Sequence, residues 1–171
     1  MLDSPIQEIK DRLPILEVVQ DFVNNQKILL VYKQAHDLWQ LPQGGIDNNE
    51  TVEKAFFREF AEELGESFMR GCDKNIKMLG AKEVKFSHGK KNIRELNSDA
   101  GEQLDMKGKK YFFIAANVVN DRVDLSESEF DDYQWLTFAQ AISQAQTITQ
   151  PRKQLTTIKA LNLLKKKEVI A

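Results

Sequence analysis

Glu59, Glu62 and Glu63 stand at spacing i, i+3 and i+4, which on an α-helix brings all three to one side. Like charges so placed repel, at about 0.2–0.5 kcal/mol per pair. An arrangement that works against its own helix calls for something to offset it. Hard divalent cations do so: Mg²⁺ takes oxygen ligands in octahedral geometry, keeps several waters and usually meets substrate phosphates. Taken alone, the same arc is equally a solvated acidic face, so the chemistry depends on what surrounds it.

The surrounding pattern predicts a helix over 51–64, with Thr51 as N-cap and Gly65 where a C-terminal cap belongs. On that helix Phe56, Phe57, Phe60 and Leu64 fall within an arc of about 100°. The three glutamates fill another arc, with Ala55 among them leaving that side free of bulk. Just upstream, residues 38–45 carry Pro42 and the pair Gly44-Gly45, a strand end running into a loop. Apolar runs at 13–22 and 27–32 flank Asn24-Asn25-Gln26 and read as a hairpin, because Asn tolerates the positive φ of tight turns. Further strands are expected at 82–86, at 111–119 (the strongest, central to the sheet) and at 133–136. Helices are expected at 138–145 and 151–167, the second starting on Pro151 and ending on three lysines that suit the helix dipole. Residues 88–110 are polar, hold glycines at 89, 101 and 108, and read as a long surface loop. The order implies an α/β domain, a mixed β-sheet with helices on both faces.

Gly44, Glu50, Arg58, Glu59, Phe60, Glu62, Glu63 and Gly65 follow the spacing Gly, five residues, Glu, seven residues, Arg-Glu-apolar-any-Glu-Glu-any-Gly. This resembles the Nudix box. Two positions depart: Glu66 stands where the family usually has an aliphatic residue, and Asn49 where glycine is common. The resemblance implies the Nudix fold, a mixed sheet sandwiched between α-helices, and hydrolysis of a diphosphate linkage with Mg²⁺ or Mn²⁺, two or more ions. Carried over by position, Glu59, Glu62 and Glu63 would be metal ligands, with one of them a possible base. Arg58 would hold a box glutamate by a charge-assisted bond. Gly44 and Gly45 would let the backbone approach the metal, through a carbonyl at Gln43 or Gly44. Trp39-Gln40-Leu41-Pro42-Gln43-Gly44-Gly45-Ile46 is similar to a stretch of the bacterial RNA pyrophosphohydrolase and dinucleoside polyphosphate hydrolase branch. Glu129-Phe130-Asp131 followed by Trp135 is similar to a later segment of it, which makes Glu129 a further ligand or the base. Gln43, Gly45 and Lys110 are the candidates for substrate contact. Lys90, Lys91, Arg94, Lys107 and Lys109 could join Lys110 on phosphates, although Glu95, Asp99, Glu102 and Asp105 between them suit a merely solvated loop.

The chain of 171 residues, 42% hydrophobic and 29% charged, is expected to form one domain over 1–171 with its own core, not a disordered chain. With 24 basic against 26 acidic side chains there is no overall basic excess, so no DNA is expected as a partner. A 5′ phosphate end held through metals needs none. The lone cysteine, Cys72, can form no internal disulfide. No apolar run approaches a membrane span and the start lacks a signal peptide, so a cytoplasmic, membrane-free protein is expected. His36 and His88 read as surface groups, and Trp39 and Trp135 as packing. The function expected is a metal-dependent pyrophosphohydrolase of a nucleoside polyphosphate, an RNA 5′-triphosphate end or a dinucleoside polyphosphate. A nucleoside diphosphate sugar or damaged nucleoside triphosphate is the alternative substrate, and a catalytically silent nucleotide sensor the alternative of another class.

Overall fold

The computed structural model describes residues 15–24, 26–47, 49–85, 96–97, 103–104 and 108–171. The chain runs β1 (Ile15–Asn24), β2 (Lys27–Lys33), β3 (Leu38–Gln40), β4 (Gln43–Gly45), α1 (Val52–Leu64), α2 (Glu66–Met69), β5 (Lys77–Lys85), β6 (Leu96–Asn97), β7 (Gln103–Leu104), β8 (Gly108–Asn117), β9 (Asp132–Leu136), α3 (Phe138–Gln146) and α4 (Pro151–Lys166).

The continuous apolar run in β8 has a simple cause: both of its faces are covered. Phe112, Ile114 and Ala116 join Leu29, Val31, Phe56, Phe60 and Leu64 in the layer under α1. Tyr111, Phe113 and Ala115 join Ile28, Leu30, Ala141, Ala145, Leu161 and Leu164 in the layer under α3 and α4. Alternation along β2 and β8 therefore splits one set of residues between two cores. β8 lies inside the sheet, parallel to β1 and antiparallel to β5, which gives the mixed sheet with helices on both faces.

The sheet forks. β1 and β2 pair only through Val23↔Ile28 and Asn24↔Lys27. Beyond that, β1 takes β4 as partner, Glu17↔Gly45 to Val19↔Gln43, whereas β2 holds β3 on one side and β9 on the other. Buried Leu41 and Pro42 carry the chain from one arm to the other. Those two residues deliver Gln43, Gly44 and Gly45 to the foot of α1.

Several elements differ from the sequence reading. β5 begins at Lys77, well before residue 82, because a register shift between Met78 and Gly80 breaks the alternation that would reveal it. The Gly44-Gly45 stretch is a short strand, β4, not a loop, since β1 offers it a free edge. A turn of helix, α2, follows Gly65 directly. β8 starts at Gly108, inside the stretch read as loop, and β6 and β7 pair within that stretch. In the first hairpin the described positive φ (65°) is at Gln26, not at an asparagine, with Asn25 outside the described residues. Asn49 does adopt the left-handed conformation that its type favours, with φ 62°.

Candidate active site

α1 starts where Thr51 accepts a hydrogen bond from the Lys54 amide at 3.2 Å. Ahead of it the Asp47 amide donates to Glu50 Oε2 at 3.0 Å, turning that carboxylate inward. One and two-thirds turns on from Val52, the Arg58 guanidinium meets it: Nε donates to Glu50 Oε1 at 2.9 Å and Nη2 to Glu50 Oε2 at 2.7 Å. Planar guanidinium and carboxylate geometries match in such a fork. The same Arg58 donates through Nη2 to the Gly45 carbonyl at 2.9 Å and through Nη1 to Glu59 Oε1 at 2.8 Å. Glu62 Oε2 lies 3.4 Å from Nη1. Arg58 thus ties the β4 backbone and three box glutamates, Glu50 ahead of the N-cap and Glu59 and Glu62 on the helix, to one cation. Its hydrogen bonds hold Glu50 below the usual carboxylate range, and the Glu50 bond in turn raises Arg58.

Gly44 passes directly over Glu59. A Cβ at Gly44 would lie 1.9 Å from the Glu59 carboxyl carbon and Oε2, so any larger residue there must displace the Glu59 carboxylate. Packed there, Glu59 is held above its ordinary pKa by burial, against the pull of Arg58. Glu63 is deeper. It is 9% exposed, and burial first, then the charges of Glu59 and Glu129, push its carboxyl well above the usual range. The Gln43 amide and the charge of Lys153 oppose that rise. Among the described residues its buried Oε2 has no hydrogen-bond partner, an expensive condition for a carboxylate.

The acidic arc is therefore not one exposed face. Glu62 is open, Glu59 is covered by Gly44, and Glu63 is buried. Ala55 belongs to the apolar core under the sheet, fully buried against Phe56 and Phe60, not to an open acidic face. The sheet wraps further around α1 than its phenylalanines alone indicate. Glu129 arrives from the 120–131 segment: its amide donates to the Glu63 carbonyl at 3.0 Å, while its carboxylate sits 3.4 Å from Lys33 Nζ.

A family model for the NUDIX domain matches residues 18–157. The chain belongs to the Nudix family. RNA pyrophosphohydrolase of Legionella pneumophila (strain Corby) is 33% identical over 113 residues, 62% of this Nudix chain and 59% of the relative's length. The chain thus spans less than two-thirds of that relative. RNA pyrophosphohydrolase of Baumannia cicadellinicola subsp. Homalodisca coagulata is 30% identical over 123 residues, 70% of this chain and 74% of its own. The solved E. coli dihydroneopterin triphosphate pyrophosphohydrolase superposes with a TM-score of 0.54 at 14% identity, covering 84% of this chain and 92% of that one. That likeness speaks for the Nudix fold.

Among the described residues, no three histidine, cysteine, aspartate or glutamate side chains converge as a ready metal-binding group. The carboxylates expected to form one are drawn instead to cations within reach, Glu59 and Glu62 to Arg58 and Glu129 to Lys33. The donor types nevertheless suit a hard cation: they are all oxygen, and one buried carboxylate oxygen, Glu63 Oε2, has no hydrogen-bond partner among the described residues. Gln43 and Gly45 sit at the site's edge. Lys110 is engaged on β8, 3.6 Å from Glu83 and over the Phe112 ring. The lysine whose charge reaches Glu63 is Lys153, from the first turn of α4, and its Nζ donates to buried Gln40 Oε1 at 3.0 Å. Sequence reasoning missed Lys153, yet a signal exists: Arg152-Lys153 opens a helix, where its dipole disfavours positive charge. His36 lies exposed in a 3₁₀ turn, and Trp39 packs 5.1 Å from the Tyr32 ring. No helix among the described residues is long and apolar enough to cross a membrane. His88, Lys90, Lys91, Arg94, Glu95, Asp99, Glu102, Asp105 and Lys107 lie outside the described residues.

Proposed function

We propose that this Nudix chain is a divalent-metal-dependent pyrophosphohydrolase of nucleoside polyphosphates, with the 5′-triphosphate end of RNA as substrate. The buried Oε2 of Glu63, without a hydrogen-bond partner among the described residues, carries the metal-dependent part of this reading. A carboxylate kept there without a partner is costly, and a cation would relieve that cost. Glu59, Glu62, Glu63 and Glu129 would hold the ions, Mg²⁺ or Mn²⁺, with a backbone carbonyl of Gln43 or Gly44. When bound they would neutralise charge growing on the phosphate oxygens and make water more acidic.

The chain's own groups do the rest. Arg58 holds Glu59 and Glu62 in one geometry through Nη1 and anchors β4 through the Gly45 carbonyl. Glu62 and Glu129 are each more than half exposed, and either would take the proton from an attacking water. Lys153, whose charge reaches Glu63 from α4, would add positive charge for the polyphosphate. The RNA end is supported by the activity for which both relatives are named and by the Trp39 to Ile46 stretch.

The test is turnover on a panel of triphosphorylated RNA, dinucleoside polyphosphates, nucleoside diphosphate sugars and nucleoside triphosphates, with Mg²⁺ or Mn²⁺. Release of phosphate or pyrophosphate from triphosphorylated RNA in preference to the others is the expected result. Release from none would defeat the enzyme reading, and preference for a sugar nucleotide would defeat the substrate.

A further inference from the structure

The segment bearing Glu129 is fastened to the end of α1 by contacts that no part of the Nudix box pattern requires. The last carbonyls of a helix lack intrahelical partners. At the end of α1 the Glu63 carbonyl receives two: Ser128 Oγ donates to it at 2.7 Å and the Glu129 amide at 3.0 Å. Ser128 Oγ also accepts from the Phe130 amide at 3.1 Å, and Phe130 is buried in the core under α1. On the other side of Gly65, Glu127 Oε2 accepts from the Ser67 amide at 3.1 Å and from the Ser67 hydroxyl. Gly65 makes the approach possible. A Cβ there would lie 2.7 Å from Glu127 Cβ and 2.9 Å from its Oε2, and its φ of 91° already favours glycine.

We propose that Ser67 and Glu127 form a latch that positions Glu129 for the reaction. Three successive residues, Glu127, Ser128 and Glu129, bind the α1–α2 junction, so a shift at Glu127 passes directly to Glu129 two residues on. The carbonyl that receives Ser128 and Glu129 belongs to Glu63, whose carboxylate is the buried one. One residue thus fixes the loop through its backbone and serves the site through its side chain. Neither Ser67 nor Glu127 touches the substrate; both are positioning residues. The proposal rests on the reading of Glu129 as part of the site.

Two measurements on the full chain separate the latch from that reading. The first is amide hydrogen exchange at residues 127–130 in Ser67→Ala and Glu127→Ala. Faster exchange at Glu129 is expected in both, with Glu127→Gln, which keeps an acceptor oxygen, restoring most of the protection. Unchanged exchange would overturn the latch. The second is turnover of triphosphorylated RNA. Outer partners of site residues typically contribute about 10-fold or more, so each alanine variant should lose about that factor in kcat with KM little changed. In a Glu129→Gln background Glu127→Ala should cost nothing further, because both changes act through one group. A full additional loss there would overturn the positioning role in favour of a general structural one. Wild-type turnover by Glu129→Gln alone would defeat the reading of Glu129, and the latch would then be decided by the exchange data.

Discussion

At the scale of single residues, Glu63 carries the most tension. Its carboxyl is buried and raised, and its Oε2 has no hydrogen-bond partner among the described residues. Below about pH 4.3, the ordinary glutamate pKa, both the folded and the unfolded chain hold the proton and no penalty arises. As pH rises above that, the unfolded chain ionises while the folded one keeps its proton, so stability is lost until the folded pKa is passed. Glu63→Gln removes this titration. Thermal unfolding in chelator from pH 4.5 to 7.5 should show the variant gaining on the parent as pH rises, and a constant gap would contradict the burial argument. Turnover by the same variant should fall by about 100-fold or more. Cys72 gives a second residue-scale expectation: burial pushes its thiol up to about 12. Alkylation at pH 8 should therefore be slow in the folded protein and speed up sharply in urea.

At the scale of elements, the decisive contact is β4 against α1. Gly44 and Gly45 are adjacent and chemically identical, yet their surroundings differ completely. A Cβ on Gly44 runs into Glu59, whereas one on Gly45 meets nothing within 4 Å among the described residues. Gly44→Ala is expected to cost about 1–3 kcal/mol of stability and to lower turnover by displacing Glu59. Gly45→Ala should stay within about 0.5 kcal/mol of the parent. Urea denaturation and turnover on the pair check both halves. The sequence pattern marked both glycines for close approach; only the packing of β4 separates them. Likewise the helix wheel put Glu59, Glu62 and Glu63 within one arc, but it could not say that Gly44 covers one and the core swallows another. Those differences come from neighbours distant in sequence.

At the scale of the whole molecule, two apolar layers flank one forked sheet. The layer beneath α3 and α4 lies across the sheet from α1, and Leu161 in it is fully buried. Leu161→Ala should cost about 2–5 kcal/mol, yet leave turnover near normal at temperatures where the variant remains folded. A loss of turnover there, measured beside circular dichroism at the same temperature, would show that α4 acts on the site as a unit, as the reach of Lys153 to Gln40 already hints locally. The fork itself shapes the site: β1 leaves β2 after two residue pairs and takes up β4, setting the Gly44 stretch beside the acidic helix.

The sequence by itself determined α1, its cap, the family and the central strand, since each rests on local periodicity or on short spacing along the chain. It also named Glu59, Glu62, Glu63, Arg58 and Glu129. Tertiary structure alone decided that Arg58 binds Glu50, Glu59 and the Gly45 carbonyl together, that Ala55 faces the core, that Lys153 bonds Gln40 while Lys110 pairs with Glu83, and that Glu127 is fastened to Ser67. The reason is physical. Helix propensity and charge spacing act over a few residues, whereas burial and hydrogen-bond partnership depend on which distant segments fold against them.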